Sequence, residues 1–156
     1  MTVRFACEKY IPQMNSLLYQ VERVHQQGRP DLFKEGAKKY TDNELKDMLK
    51  DKTKPIFAAV DENDVMKGYA FCVFQEHKGD NVLTDIKTLY IDDLCVDENC
   101  RGQHIGSVLY EAVKKFAKEQ GCYNVTLNVW ECNPSARKFY EKAGLKPYKT
   151  GMEVIL

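Results

Sequence analysis

Residues 100 to 109, Cys100-Arg101-Gly102-Gln103-His104-Ile105-Gly106-Ser107-Val108-Leu109, set two glycines four positions apart at the entrance to an apolar helical pattern. Val108, Leu109, Ala112, Val113, Phe116 and Ala117 recur at steps of three and four, which predicts a helix from about Ile105 to Gln120 closed by Gly121. The preceding run, TLYIDDLCVDE, reads as a strand over about residues 87 to 97. A strand, a glycine-bearing loop and a helix start, in that order, suit an anion. The first helical N–H groups have no intrahelical acceptor, the helix dipole is positive there, and glycine lets backbone approach closely. Arg101 adds charge at the rim. The Lys-Ser/Thr ending of a Walker loop is absent, and the glycine spacing is not that of a dinucleotide fingerprint. Taken by itself, the stretch also reads as an ordinary loop into a helix.

The strand ahead of the loop is irregular. Its apolar residues fall at Leu89 and Ile91, then at Leu94 and Val96, so the alternation slips by one at Asp92-Asp93. A β-bulge produces such a slip; a strand buried on both faces is the alternative.

The flanking elements follow from periodicity and punctuation. Residues 2 to 7 alternate as a short strand. A helix is predicted from Ile11 to Gln26 on Met14, Leu17, Leu18, Val21 and Val24, and is stopped by Gly28-Arg29-Pro30. A second helix from Thr41 to Asp51 opens on the capping box Thr41 and Glu44. Residues 54 to 61 and 66 to 76 form a hairpin, and 123 to 130 another strand. Pro134 starts a short helix that Gly144 closes, and 145 to 156 read as a last hairpin through Thr150-Gly151. The predicted order is β-α-α-β-β-β-α-β-α-β-β, an α/β (α+β) mixed sheet with helices on its faces, in one domain over residues 1–156.

Composition narrows the partners. The 23 basic and 23 acidic side chains cancel, so no global field favours nucleic acid or an anionic membrane. Apolar content of 44% with 29% charged residues is that of a globular chain. No apolar run reaches the roughly 20 residues of a membrane span, and MTVRFACEKY does not read as a signal peptide. The six cysteines form no CxxC pair, so the expectation is reduced thiols, no metal and a cytoplasmic setting.

A second motif joins the first. NPSARKFYEKAGLKP, residues 133 to 147, has an Asn-Pro helix start, Phe139-Tyr140 within the helix and a break at Gly144-Leu145. With Arg101-Gly102-Gln103-His104-Ile105-Gly106 about 30 residues earlier, the chain resembles the GNAT superfamily of acetyl-coenzyme A-dependent N-acetyltransferases. The specific motifs cover about residues 88 to 147. The resemblance implies direct transfer of acetyl from acetyl-coenzyme A, a co-substrate, to a primary amine of a small molecule or peptide within a ternary complex. The cofactor's pantetheine arm would pair with backbone at Leu94, Cys95 and Val96, and an N–H near Val96 would stabilise the oxyanion. Amides from Arg101 through Gly102, Gln103, His104, Ile105 and Gly106 to Ser107 would hold the pyrophosphate, and Asn133 the pantetheine arm.

Tyr140 maps to the general acid that protonates the departing thiolate. Asp92 or Asp93 is the candidate base, with a water chain as the alternative. The acceptor wall would come from the first two helices and the loop between them, where Tyr19, His25, Arg29, Phe33 and Tyr40 lie. A homodimer through the C-terminal strands is a habit of the family. His104 departs from the family pattern, standing where a glycine is usual; it is either a surface residue in helical dihedrals or a contact to the pyrophosphate. A coenzyme A-responsive module without catalysis, and a phosphate- or nucleotide-binding protein using the loop alone, are the competing readings.

Overall fold

The computed structural model describes residues 1–156 throughout. Five strands form one sheet in the order β1-β2-β3-β4-β5: β1 (Thr2–Phe5), β2 (Ile56–Val60), β3 (Met66–Glu76), β4 (Lys87–Val96) and β5 (Asn124–Leu127). The first four are antiparallel neighbours and β5 runs parallel to β4. That parallel step requires a crossover, supplied by helix α3 (Ile105–Glu119).

Helices cover both faces. On one, α1 (Ile11–Gly28) and α2 (Asp42–Lys50) bury Met14, Leu17, Leu18 and Leu45 against Ala58, Tyr69 and Phe71. On the other, α3 buries Ile105, Leu109, Val113 and Ala117 against Ala59, Ala70, Leu89 and Ile91, with α4 (Pro134–Lys142) beside it through Phe139. The capping box of α2 forms as its sequence demands. The Thr41 hydroxyl accepts from the Glu44 N–H at 3.2 Å, and the Thr41 N–H donates to the Glu44 carboxylate at 2.7 Å.

Gly68 on β3 lies beneath β4 and α3. A Cβ there would sit 2.9 Å from the Cys95 carbonyl oxygen and 3.0 Å from Leu109 Cδ1. Gly68→Ala is therefore expected to destabilise by about 1–3 kcal/mol, because backbone has to move to admit the methyl. Denaturant titration checks this, and an unchanged midpoint would remove the packing argument.

The sheet differs from the predicted order at its C-terminal end. Residues 145–156 form no strand, and none of the backbone N–H groups beyond Leu145 enters a hydrogen bond to backbone. A two-stranded hairpin is marginal unless a sheet edge or an apolar face supports it. Here Met152, Val154 and Ile155 are 94%, 80% and 76% exposed, so the predicted hairpin has no surface within the chain to fold against. The tail's polar anchor is Glu153, which pairs with Arg29 at the end of α1, one contact being 3.3 Å. The predicted strand 123–130 is likewise shorter, closing at Leu127. No helix is long and apolar enough to cross a membrane.

Candidate functional site

The site is built by a register shift. Phe71 pairs with Asp93 and Cys72 with Ile91, so Asp92 is the extra residue of a β-bulge on β4. The slipped alternation at Asp92-Asp93 thus has its physical cause. On its other side, β4 pairs with β5 only from Thr88 to Ile91. Beyond the bulge, Asp93 to Val96 stay paired with β3 but have no partner on the β5 side. The two parallel strands diverge into a slot, and one wall is the free edge of Leu94, Cys95 and Val96. A cavity of about 300 Å³ lies elsewhere, lined by Phe5, Leu49, Pro55 and Phe116 among others.

The bulge turns both carboxylates to the α1/α2 face. Asp92 accepts from the Tyr40 hydroxyl and pairs with Lys39 at 2.9 Å. Asp93 accepts from the Tyr69 hydroxyl at 2.7 Å. Burial raises the Asp93 carboxyl to about 6, against the Tyr69 hydrogen bond and the Lys39 charge, which favour ionisation. Lys39 and Tyr40 thus compensate Asp92, whereas Asp93 is held near neutrality with one phenol for a partner. Cys95 is buried, and burial pushes its thiol up to about 12.

Downstream of β4 a single 3₁₀ turn (Glu98–Cys100) leads into the loop. None of the backbone N–H groups from Arg101 to Ser107 donates to a backbone acceptor, and His104 gives α3 no side-chain cap. A run of uncommitted donors at the start of a 15-residue helix has the chemistry for a pyrophosphate. Gly102 has φ +81°, where side chains are strained, with nothing within 4 Å of its missing Cβ. Gly106 is small for a different reason. Its Cβ would lie 3.2 Å from Phe139 Cζ, so the helix of the second motif presses on the loop of the first.

His104 does not take helical dihedrals. It is the N-cap of α3 in the left-handed region, φ 61° and ψ 14°. A β-carbon at such a position costs about 1–2 kcal/mol. His104→Gly is expected to raise stability by about 0.5–1 kcal/mol, after glycine's own entropy cost. Thermal melts read this, and a lower melting temperature would deny the strain. In the same variant, an unchanged pH dependence of the KM for acetyl-coenzyme A would remove a histidine–pyrophosphate contact.

Asn133 caps α4 by accepting from the Ala136 N–H at 3.2 Å. Tyr140, two residues before the helix end, is half-buried with its ring centroid 5.1 Å from that of Phe139. Burial, then the charges of Asp93 and Cys95, raise its phenol well above the ordinary value. The two motifs and the bulge therefore converge: phosphate loop, slot edge, phenol and carboxylate share one end of β4. Tyr19 remains exposed on α1. Two residues at this end, Glu22 and Trp130, carry no motif; Trp130, the only tryptophan, at the last position of the predicted strand 123–130, is the available signal.

Comparison with known proteins agrees with this geometry. The sequence profile of the acetyltransferase (GNAT) family matches residues 18–145. A glucosamine 6-phosphate N-acetyltransferase from Arabidopsis thaliana is 36% identical over 59 residues, 38% of this chain and 38% of that protein. The matched segment spans well under half the length of the curated relatives. Among solved structures, a mutant of the BH1408 protein from Bacillus halodurans superposes with a TM-score of 0.95 at 27% identity, covering 100% of this chain and 99% of that one. The aminoglycoside N-acetyltransferase AAC(6')-Iy in complex with CoA shares the fold, with a TM-score of 0.71 at 14% identity over 99% and 98% of the two chains.

Proposed function

The chain belongs to the acetyltransferase (GNAT) family, and from that premise we propose that it moves the acetyl group of acetyl-coenzyme A to a primary amine of a small molecule or peptide. The divergence of β4 from β5 beyond Ile91, with Tyr140 and Asp93 at its open end, carries the reading. The free edge at Leu94, Cys95 and Val96 would take the pantetheine arm as a pseudo-strand, with Asn133 near its end. The amides of Arg101 to Ser107 would take the pyrophosphate, with Arg101 at the rim.

Asp93 receives the proton that the substrate ammonium must lose, since its carboxyl titrates near neutrality and Asp92 is tied to Lys39 and Tyr40. The amine nitrogen then bonds the acetyl carbon, the thioester C–S bond breaks, and Tyr140 hands its proton to the leaving sulfur. The names of the relatives point to amino sugars and aminoglycosides as acceptors. Thiol release from acetyl-coenzyme A over an amine panel tests the reaction. Stabilisation by acetyl-coenzyme A without turnover on any amine would favour a binding module, and stabilisation by ATP alone a nucleotide-binding protein.

We further propose a homodimer through the tail. The edge of β5 away from β4 is unpaired, and the same chain carries a tail with Met152, Val154, Ile155 and Leu156 exposed and no strand partner. Edge and strand are complementary between two copies. Removing residues 146–156 is expected to convert a dimer to a monomer in sedimentation velocity; a monomeric full-length chain would refute the pairing.

A further inference from the structure

The end of α1, the loop after it and the loop after β5 meet beside the open end of the slot. A Cβ on Gly28 would lie 2.7 Å from Cys132, so the helix end is seated on the segment that carries Trp130. His25 stacks 5.2 Å from Phe33, and Phe33 meets Trp130 edge-on at 5.1 Å. Trp130 keeps 45% of its surface exposed, so the cluster presents an aromatic face to solvent.

One turn before His25 stands Glu22, its side chain only 16% exposed. Its nearest basic atom is His25 Nδ1 at 3.9 Å, beyond hydrogen-bond length. The Glu22 charge reaches inward, opposing ionisation of Asp93 and of Tyr69. The cations of these segments are mostly committed. Arg23 pairs with Glu98, Arg29 with Asp31 and Glu153, Lys38 with Asp42 and Lys39 with Asp92, leaving Lys34 as the loop's unpaired cation.

We infer that this face selects the acceptor: Glu22 takes a second positive charge of the amine substrate, and Phe33 and Trp130 cover its hydrocarbon or ring body. The inference rests on the acetyl-transfer reading only for the place of the reacting amine, next to Asp93. A partly desolvated carboxylate beside exposed aromatic rings attracts cations twice over, by charge and by the ring quadrupole. The same carboxylate repels a phosphate, and of the cations on α1 and its loop only Lys34 is free of a carboxylate partner to hold one. Di- and polyamines are thus preferred over phosphorylated amines.

The test compares spermidine, glucosamine and glucosamine 6-phosphate as acceptors for the wild type, Glu22→Gln, Glu22→Asp and Trp130→Ala. Melting shifts with each amine in the presence of coenzyme A are read in parallel. Spermidine is expected to exceed glucosamine 6-phosphate in kcat/KM by about tenfold or more. Glu22→Gln should raise the spermidine KM by about tenfold while leaving the KM values for glucosamine and acetyl-coenzyme A unchanged. Glu22→Asp, which keeps the charge, should retain the preference, and Trp130→Ala should weaken spermidine without touching acetyl-coenzyme A. Equal or better use of glucosamine 6-phosphate, or equal losses on all amines in Glu22→Gln, would overturn the inference. If no amine is acetylated, a spermidine-dependent shift that Glu22→Gln abolishes retains the subsite while the enzyme reading falls; no such shift overturns it.

Discussion

Tyr140→Phe is expected to lower kcat for acetyl transfer by about 100- to 1,000-fold while moving the KM for acetyl-coenzyme A less than about twofold. The phenyl ring keeps the contact with Phe139 and hence the packing of α4 on the phosphate loop. What disappears is the proton donor. A thiolate leaving without a proton is a poor leaving group toward an amine nucleophile, so the loss falls on the chemical step. The raised affinity of this phenol for its proton, from burial and the neighbouring Asp93, keeps it protonated across the working pH range. Thiol release under saturating acetyl-coenzyme A measures the effect; wild-type turnover would show that Tyr140 is only a packing residue.

Asp93→Asn has the second large expectation, and it divides activity from stability. In the folded protein this carboxyl titrates at about 6, raised from 3.8. Below about pH 4 it is protonated both folded and unfolded, and contributes nothing. Between the two values the folded state keeps a proton that the unfolded state releases, so stability falls as pH rises. Above about pH 6 the whole penalty is present, on the order of 3 kcal/mol. Asparagine still accepts from Tyr69 and carries no charge. The variant should be more stable than the wild type near pH 7.5, on the order of 1–3 kcal/mol, and equal to it near pH 4. Its activity should drop by about 100-fold or more, with loss of the acid limb that the wild type shows through about pH 6. Chemical denaturation at the two pH values and a pH–rate profile check these together. An unaltered acid limb would assign the proton to another acceptor, Asp92 or water.

Features that depend on nearby residues were legible in the chain. Thr41 and Glu44 cap α2 because both partners lie within one turn. Asn133 caps α4 for the same reason. The bulge showed because one extra residue flips every later side chain, and Leu94 and Val96 record the flip. Four things were not legible. The hairpin over residues 145–156 is read from the turn residues Thr150-Gly151, but a hairpin needs a surface, and this chain offers its tail none. His104 in the left-handed region leaves no trace in hydrophobic period, since φ at a cap is set by how the chain enters the helix. Glu22 and Trp130, some 100 residues apart, share His25 as a neighbour only in the folded chain, where Gly28 is seated on Cys132. Which of Asp92 and Asp93 is compensated also needed the fold, because Lys39 and Tyr40 reach Asp92 from a loop about 50 residues away.

The extra residue on β4 also sets how this chain tolerates change. What the slot requires at Asp92 is a count of residues, not a side chain. A library that randomises this position at constant length should keep the opening between β4 and β5 in nearly every member. Excision of the one codon is different. It would restore regular alternation, let β4 zip onto β5 past Ile91, and exchange the entrance for several new sheet hydrogen bonds. Such a chain would be a sturdier sheet with nowhere for a thioester to lie, so length in this segment is under tighter constraint than spelling.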